Sequence, residues 1–253
     1  ENIETTEIKD FNNNISLNDV SFKYDDKKVL ENINFEFEKG KKYALVGLSG
    51  SGKSTLMKLI SKRIKANEGK IYIDGIDLDE VSRNSIINLI STINQNVFLF
   101  KGSIYDNITL FSRDYSEEKV KDVILKAELG KYLDRLYDKE LISENANNLS
   151  GGEKQRISIA RSLIKDTKII LADEILSSLD NEIAFSIEKG LLELENITLI
   201  SVTHRLIKEN LKQYDKILVL KDGKIEEKGN FEELMNFDSY FKKLYTISEV
   251  ENN

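Results

Sequence analysis

Apolar residues recur at or near every second position in two runs close to the start of the chain. The runs lie on either side of Asp25-Asp26, which has the composition of a turn. This spacing places the apolar side chains on one face of a strand, so it predicts an antiparallel, half-exposed sheet. Asp-Gly dipeptides at 74–75 and 222–223, each between short apolar segments, predict two further hairpins. The apolar residues of the two runs are Ile15, Leu17, Val20, Phe22 and Tyr24, followed by Ile33, Phe35 and Phe37.

Three other segments are almost continuously apolar, over residues 43–46, 169–172 and 198–202. Such segments are typical of parallel strands that helices cover on both faces. Apolar residues at spacings of three and four predict helices between them, at 53–64, 116–129, 153–164 and 183–194. The predicted fold class is therefore α/β, with a parallel-sheet core and an antiparallel sheet on one side.

Composition narrows the possible functions. The chain has 253 residues, 40% hydrophobic and 32% charged, which is enough to bury a sizeable core. A formal net charge of −7 argues against nucleic acid as the main partner, because phosphate polymers bind clustered Lys and Arg. No segment approaches the roughly 20 consecutive apolar residues of a membrane span, so we expect the chain itself to be soluble. The absence of Cys is compatible with a reducing cytosol.

The two ends of the chain are polar. Residues 1–14 are rich in Asn and lack periodicity, so we expect a leader or linker there. The ordered domain is predicted over 15–244, and 245–253 is predicted to be a tail. Residue 1 is Glu rather than Met, which indicates a processed chain or a piece of a longer one whose remainder could include a membrane domain.

A phosphate-binding loop is predicted at residues 47–54, Gly-Leu-Ser-Gly-Ser-Gly-Lys-Ser, which match G-x-x-x-x-G-K-[ST] between a predicted strand and a predicted helix. The glycines allow backbone amides to approach phosphate oxygens, and the helix start adds the positive end of its dipole. Lys53 supplies a charge for the β- and γ-phosphates, and the Ser54 hydroxyl suits Mg²⁺. The nucleotide-binding residues predicted here are Gly47, Ser49, Gly50, Ser51, Gly52, Lys53, Ser54 and Thr55.

Two acidic residues, Asp173 and Glu174, follow the apolar segment 169–172. Open parallel sheets place their ligand sites at this end of a strand. The first carboxylate is expected to orient Mg²⁺, and the second to polarise an attacking water.

The segment 149–153, Leu-Ser-Gly-Gly-Glu, begins another predicted helix and precedes Lys154-Gln155-Arg156. Ser150 can cap this helix while Glu153 completes a capping box, and the two glycines leave the backbone amides uncovered. The segment is therefore a second candidate anion site, built from Ser150, Gly151 and Gly152. It resembles the signature motif of ABC ATPases.

Four more positions are similar to that family in the same order along the chain. Tyr24 resembles the aromatic residue that stacks on adenine, and Gln95 the glutamine that links Mg²⁺ and attacking water to the transporter contact. Asp180 resembles the acidic residue of a loop that crosses between two subunits. His204, the single His of the chain, resembles the switch histidine at the γ-phosphate. The resemblance thus implies Glu174, His204, Gln95 and Lys53 as catalytic residues, and Ser54, Gln95 and Asp173 around the metal.

The resemblance extends from residue 15 to about 244 and implies a RecA-like P-loop NTPase core with a helical subdomain inserted at about 96–158. Residues 100–108 are similar to the exporter subgroup of the family. The resemblance implies ATP and Mg²⁺ as cofactors, a second ATPase domain arranged head to tail, and a transmembrane domain in the same full-length chain. The expected location is the cytoplasmic face of the cell membrane.

The chain departs from the family pattern beside the proposed base, where Ile175 and Leu176 replace a usual Pro and a common Thr. Ser143 and Ala146 stand where Gly is typical. Other hypotheses are a soluble ABC ATPase of nucleic-acid repair or translation, a nucleotide-binding regulatory module without turnover, and a nucleotide kinase. The kinase hypothesis leaves the segment 150–153, Gln95 and His204 unexplained.

Overall fold

Two β-sheets organise the computed structural model, which describes residues 6–94, 97–176, 179–236 and 238–252. One sheet has four strands in the order β2-β1-β4-β5, and the other has six in the order β10-β9-β3-β8-β7-β6. The strands are β1 (Asn14–Tyr24), β2 (Lys27–Glu38), β3 (Lys42–Val46), β4 (Glu68–Ile73), β5 (Ile76–Asp77), β6 (Ile90–Ile93), β7 (Ile169–Asp173), β8 (Thr198–Val202), β9 (Lys216–Lys221) and β10 (Lys224–Gly229).

The four-stranded sheet is antiparallel throughout, as the alternating pattern predicted. Its first hairpin pairs Asn14 with Glu38 at one end and Tyr24 with Lys27 at the turn. The Asp-Gly pairs at 74–75 and 222–223 join β4 to β5 and β9 to β10. Both predicted hairpins are therefore confirmed.

The six-stranded sheet is parallel except for β10 at its edge. The three continuous apolar segments form β3, β7 and β8, and β8 lies between the other two. The carboxyl ends of three adjacent strands consequently meet at one edge of the sheet. The α/β fold class with a parallel core is confirmed.

Helices surround the parallel sheet, and the predicted ones are present with changed ends. They are α1 (Lys53–Ile60), α2 (Arg83–Leu89), α3 (Ile104–Thr109), α4 (Glu117–Lys126), α5 (Gly151–Leu163), α6 (Asn181–Leu192), α7 (Lys208–Leu211), α8 (Phe231–Met235) and α9 (Tyr240–Asn252), with 3-10 turns at Gly130–Arg135 and Glu144–Ala146. The first and second predicted helices end early, because Lys62 and Glu128 have φ of 54° and 55°, which α-helices exclude. Among the described residues, no helix has the length and apolarity that crossing a membrane requires.

The parallel sheet separates two hydrophobic cores. Along β3, Tyr43 and Leu45 face a core shared with the antiparallel sheet and α1, whereas Ala44 and Val46 face a core shared with α3–α6. We call these the nucleotide-side core and the helix-side core. Strand β7 alternates in the same way, with Ile169 and Leu171 on the first side. Each buried strand therefore contributes to both cores through its period of two.

Residues on both sides of the predicted 15–244 domain pack against the rest of the chain. Phe11, within the predicted leader, is fully buried in the nucleotide-side core. The backbone amides of Asn12, Asn13 and Asn14 donate to the Asp74 carboxylate at 2.6, 2.7 and 3.1 Å. At the other end, α9 continues across residue 244, and Tyr245 is buried in the helix-side core. Residues 6–14 and the start of the predicted tail thus contribute to the packed fold.

Candidate nucleotide site

The phosphate loop connects β3 to α1 and passes close to the antiparallel sheet. Gly50 and Gly52 have φ of 82° and 105°, which L-residues rarely adopt. A Cβ atom at Gly52 would lie 2.6 Å from Leu30 Cδ2 and 2.9 Å from the Val29 carbonyl oxygen. The loop conformation therefore requires glycine at 52, both for the backbone angle and for its approach to β2.

Lys53 is buried at the start of α1. Its Nζ donates to the carbonyl oxygens of Gly47 and Leu48 at 2.8 and 2.9 Å. Burial lowers the pKa of Lys53, and the charges of Glu174 and Asp173 act in the opposite direction. Gly52, the N-cap of α1, makes no side-chain capping hydrogen bond. The first amides of the helix thus have no side-chain cap, as an anion site at this end requires.

Ser54 and Asp173 bring two hard oxygen atoms together beside the loop. The Ser54 hydroxyl donates to Asp173 Oδ1 at 2.9 Å. Burial raises the pKa of Asp173, the Ser54 hydrogen bond lowers it, and the neighbouring Glu174 charge raises it. This donor pair fits Mg²⁺, which uses one or two protein oxygens and completes its shell with water and phosphate oxygens. No cluster of three or more His, Cys, Asp or Glu suited to a metal occurs among the described residues.

Glu174 and His204 meet across the ends of β7 and β8. Glu174 Oε1 lies 2.7 Å from His204 Nε2, and both side chains are partly exposed. Glu174 has φ of 51°, so the chain turns sharply at the end of β7. A carboxylate oriented by an imidazole at the edge of a parallel sheet is suited to accept a proton from water.

The predicted second anion site lies at the start of α5, where Ser150 and Glu153 form a capping box. Glu153 also accepts hydrogen bonds from Lys131 and Tyr132. Burial raises the pKa of Glu153, but these donors and the Ser150 amide outweigh it and bring the pKa to about 2. Within the described part of the chain, no hydrogen bond joins 150–152 to the phosphate loop.

Three other predicted site residues are Tyr24, Asp180 and Gln95, and the structure describes the first two. Tyr24 ends β1, is 43% exposed and packs edge to face on Phe22 at 4.8 Å. Asp180 caps α6 by accepting from the Ile183 amide at 3.0 Å. Gln95 lies outside the described residues, so its role remains a prediction.

Comparison with known proteins identifies the family of this chain. A family model described as ABC transporter matches residues 30–177, more than half of the chain. The chain belongs to the ABC transporter family. ATP-dependent lipid A-core flippases are among its curated relatives: that of Francisella tularensis subsp. tularensis (strain FSC 198) is 36% identical over 243 residues, covering 94% of this chain and 40% of the relative. That of Desulfotalea psychrophila is 38% identical over 248 residues, covering 96% and 43%.

Structural comparison agrees with the exporter-type resemblance. The solved structure of a bacterial Atm1-family ABC exporter with ATP bound matches with a TM-score of 0.87 and 31% identity. The match covers 98% of this chain and 45% of that chain. This chain is thus an exporter-type ABC ATPase domain, and it spans about two fifths of the length of the curated relatives it matches.

The family departures beside Glu174 have a structural role in this ABC domain. Ile175 and Leu176 are both buried in the helix-side core. They therefore anchor the turn that follows Glu174, while Glu174 itself remains in contact with His204.

Arg205 lies beside the candidate site, directly after His204, and the sequence did not predict its role. Its guanidinium donates to the Leu179 carbonyl and, at 2.9 Å, to Asn181 Oδ1. These partners flank Asp180, so Arg205 ties the segment after Glu174 to the segment that carries His204. The only sequence signal was a cation directly after the single His.

Proposed function

We propose that this domain hydrolyses ATP with Glu174 as the base and that, in a pair of such domains, hydrolysis drives transport through a linked membrane domain. The observation that carries this proposal is the 2.7 Å contact of Glu174 with His204 beside the 2.9 Å contact of Ser54 with Asp173. The contacts lie at the carboxyl ends of adjacent strands, where open α/β sheets bind ligands.

Nucleotide binding is assigned to the loop and to the turn of the first hairpin. The backbone amides of 47–54 and the start of α1 face the phosphates, and Lys53 adds a positive charge. Tyr24 is assigned to the adenine, because its ring is exposed at the end of β1 and β2 approaches the loop at Gly52. Thr55 follows Ser54, is buried in the first turn of α1, and is assigned to nucleotide binding through the phosphate-loop motif.

Mg²⁺ would be held by Ser54 and Asp173, with Gln95 assigned by resemblance. When bound, the ion supplies positive charge that offsets the charge developing on the transferred phosphoryl group. The Ser54–Asp173 hydrogen bond orients the two oxygens before any ligand arrives.

The reaction proposed is attack of water on the γ-phosphorus. The water oxygen forms the new P–O bond while the bond to the β–γ bridging oxygen breaks, and the electron pair leaves with ADP. Glu174 accepts the water proton, and His204 and Lys53 donate hydrogen bonds to the γ-phosphate oxygens. ATP and water thereby give ADP, inorganic phosphate and a proton.

A second domain completes the site in this proposal. Ser150, Gly151 and Gly152 form a capped helix start that no hydrogen bond connects to the described part of its own phosphate loop. In a head-to-tail dimer the same segment would face the γ-phosphate held by the partner domain. Lys131 and Tyr132 fix Glu153, and they thus hold this helix start in one conformation.

The membrane partner is assigned to an exposed aromatic patch whose first member, Phe98, follows Gln95 by three residues in the sequence. Phe98, Phe100 and Phe111 are exposed and contact one another edge to face, with ring centroids 5.0 and 5.4 Å apart. Exposed apolar patches of this kind mark protein contacts. Because the relatives are more than twice as long as this chain, we assign the contact to a transmembrane domain and the location to the cytoplasmic face of a membrane. Lipids are the first substrates to test, since two relatives are named as lipid A-core flippases.

Glu174→Gln tests the central assignment. Phosphate release should fall at least about 100-fold, because the amide cannot accept the proton, whereas ATP binding should persist. Size-exclusion chromatography with ATP and Mg²⁺ should show a trapped dimer. Glu195→Gln, which alters an exposed carboxylate away from the site, should hydrolyse ATP at the original rate. Unchanged hydrolysis by Glu174→Gln would refute the assignment.

A further inference from the structure

Glu188 is a buried carboxylate on α6 that the proposed reaction does not use. Its side chain belongs to a residue only 2% exposed. The Tyr214 hydroxyl donates to Oε1 at 2.8 Å, and the Asn210 side-chain amide donates to Oε2 at 2.7 Å. Both donors are themselves buried. Both carboxylate oxygens are thus bound by the segment that follows His204.

Stability alone does not explain an acid at this position. Burial raises the pKa of Glu188, and the two hydrogen bonds only partly oppose that shift. An apolar side chain of similar volume would avoid removing a carboxylate from water. What the carboxylate provides, and an apolar side chain cannot, is a fixed direction for two hydrogen bonds.

Glu188 joins two elements that each lie close in the chain to a proposed catalytic residue, because α6 follows Glu174 and the segment 203–215 contains His204. Helix α6 begins at Asn181, directly after the segment that follows Glu174, and residues 203–215 begin with the turn that carries His204. Arg205 makes a second connection between the same two segments, at Asn181 and Leu179. Glu188 lies seven residues further along the helix, about 10 Å from that connection. Two connections this far apart prevent rotation of one segment against the other.

We propose that Glu188 is a positioning residue for hydrolysis: through Tyr214 and Asn210 it holds the 203–215 segment on α6, which keeps His204 against Glu174. The inference rests on the proposed roles of Glu174 and His204. Glu188 would act on both residues through its hydrogen bonds with Tyr214 and Asn210.

Two substitutions separate the hydrogen bonds from the charge. Glu188→Gln keeps an acceptor for Tyr214, and its amide can donate to Asn210 Oδ1, which has no partner in the structure. Glu188→Leu keeps much of the volume but removes the carboxylate that accepts from Tyr214 and Asn210, and it leaves the Asn210 amide with its 3.5 Å bond to the Phe185 carbonyl oxygen. Glu193→Gln, at the exposed residue directly after the end of α6, is the matched control, because among the described residues its carboxylate forms an ion pair only with Lys189, at 3.8 Å.

The single histidine makes the test direct. We would record the imidazole nitrogen resonances of His204 by NMR without nucleotide, and then measure kcat and KM for ATP. Glu188→Leu should shift the His204 resonances and lower kcat about tenfold or more, with KM within about twofold, because a small misplacement of catalytic groups slows the chemical step. Glu188→Gln and Glu193→Gln should match the original chain in both measurements within about twofold.

Unchanged His204 resonances and kcat in folded Glu188→Leu would overturn the proposal, including the case in which only its urea midpoint falls. If Glu188→Leu does not fold, Tyr214→Phe decides the question by removing one hydroxyl with almost no change in volume. It should move the His204 resonances in the same direction, and unmoved resonances would refute the role. The NMR measurement needs no hydrolysis, so its outcome is separate from that of Glu174→Gln.

Discussion

Replacing Gly52 by Ala probes the close approach of the phosphate loop to the antiparallel sheet. The added Cβ would lie 2.6 Å from Leu30 Cδ2 and 2.9 Å from the Val29 carbonyl oxygen, at a backbone φ of 105°. Gly50 provides a matched comparison, because its φ is 82° and a Cβ there would meet no atom within 4 Å. The pair thus separates the backbone cost from the contact cost.

The magnitudes follow from these two terms. A left-handed backbone angle costs an L-residue about 1–2 kcal/mol, which applies to both substitutions. Overpacking adds about 1–3 kcal/mol, which applies to Gly52→Ala alone. We therefore expect destabilisation of about 1–2 kcal/mol for Gly50→Ala and about 2–5 kcal/mol for Gly52→Ala. The lower entropy of the unfolded chain, which favours Ala over Gly, is common to both variants and cancels in the comparison.

Urea unfolding of the two variants without nucleotide, followed by fluorescence of the tyrosines or by circular dichroism, measures the difference. Gly52→Ala should unfold at a clearly lower midpoint than Gly50→Ala with the same slope. Equal midpoints would show that β2 does not constrain the loop, and the reasoning from the Leu30 contact would then fail.

Three further substitutions test other parts of the structure. Glu153→Gln should reduce the loss of stability in acid. Because the pKa of Glu153 is about 2, its carboxylate contributes at most about 3 kcal/mol to the free energy of unfolding above about pH 4.5, and this contribution is lost as pH falls towards 2. Urea midpoints at several pH values measure the difference. Tyr24→Ala should weaken ATP binding about tenfold by calorimetry while lowering the urea midpoint only slightly, through loss of the edge-to-face contact with Phe22; unchanged affinity would reject stacking on adenine. Phe11→Ala should cost about 3–5 kcal/mol in urea unfolding, whereas the exposed neighbour Lys9→Ala should cost almost nothing; equal midpoints would contradict the burial of Phe11.

Local patterns were sufficient to predict most of the fold. The strands at 42–46, 169–173 and 198–202 follow from continuous apolar segments, and the hairpins follow from alternation and Asp-Gly turns. Helix ends were less predictable, because Lys62 and Glu128 adopt left-handed angles that their residue types do not favour. The burial of Phe11 was also out of reach, since a lone apolar residue in a polar segment has no period.

The residues of the candidate site also fall into those that a local sequence pattern predicts and those that it does not. The phosphate loop is contiguous, so its spacing alone predicted the glycines, Lys53 and Ser54. The contact of Ser54 with Asp173 joins residues 119 positions apart, and strand order had to bring them together. His204 was found only through the family resemblance. Arg205 and Glu188 were missed because their roles depend on partners in other elements, which no local pattern identifies.

The separation of the two cores by the parallel sheet has a consequence for how this sequence can diverge. Neighbouring residues of one strand, such as Leu45 and Val46, pack in different cores. A substitution at one therefore need not be compensated by a substitution at the other. Substitutions in the helix-side core can accumulate and change the surface around Phe98 and Phe111 while the nucleotide-side core stays unchanged. The surface that would contact a partner can therefore change in sequence while the residues packed beneath the nucleotide site are retained.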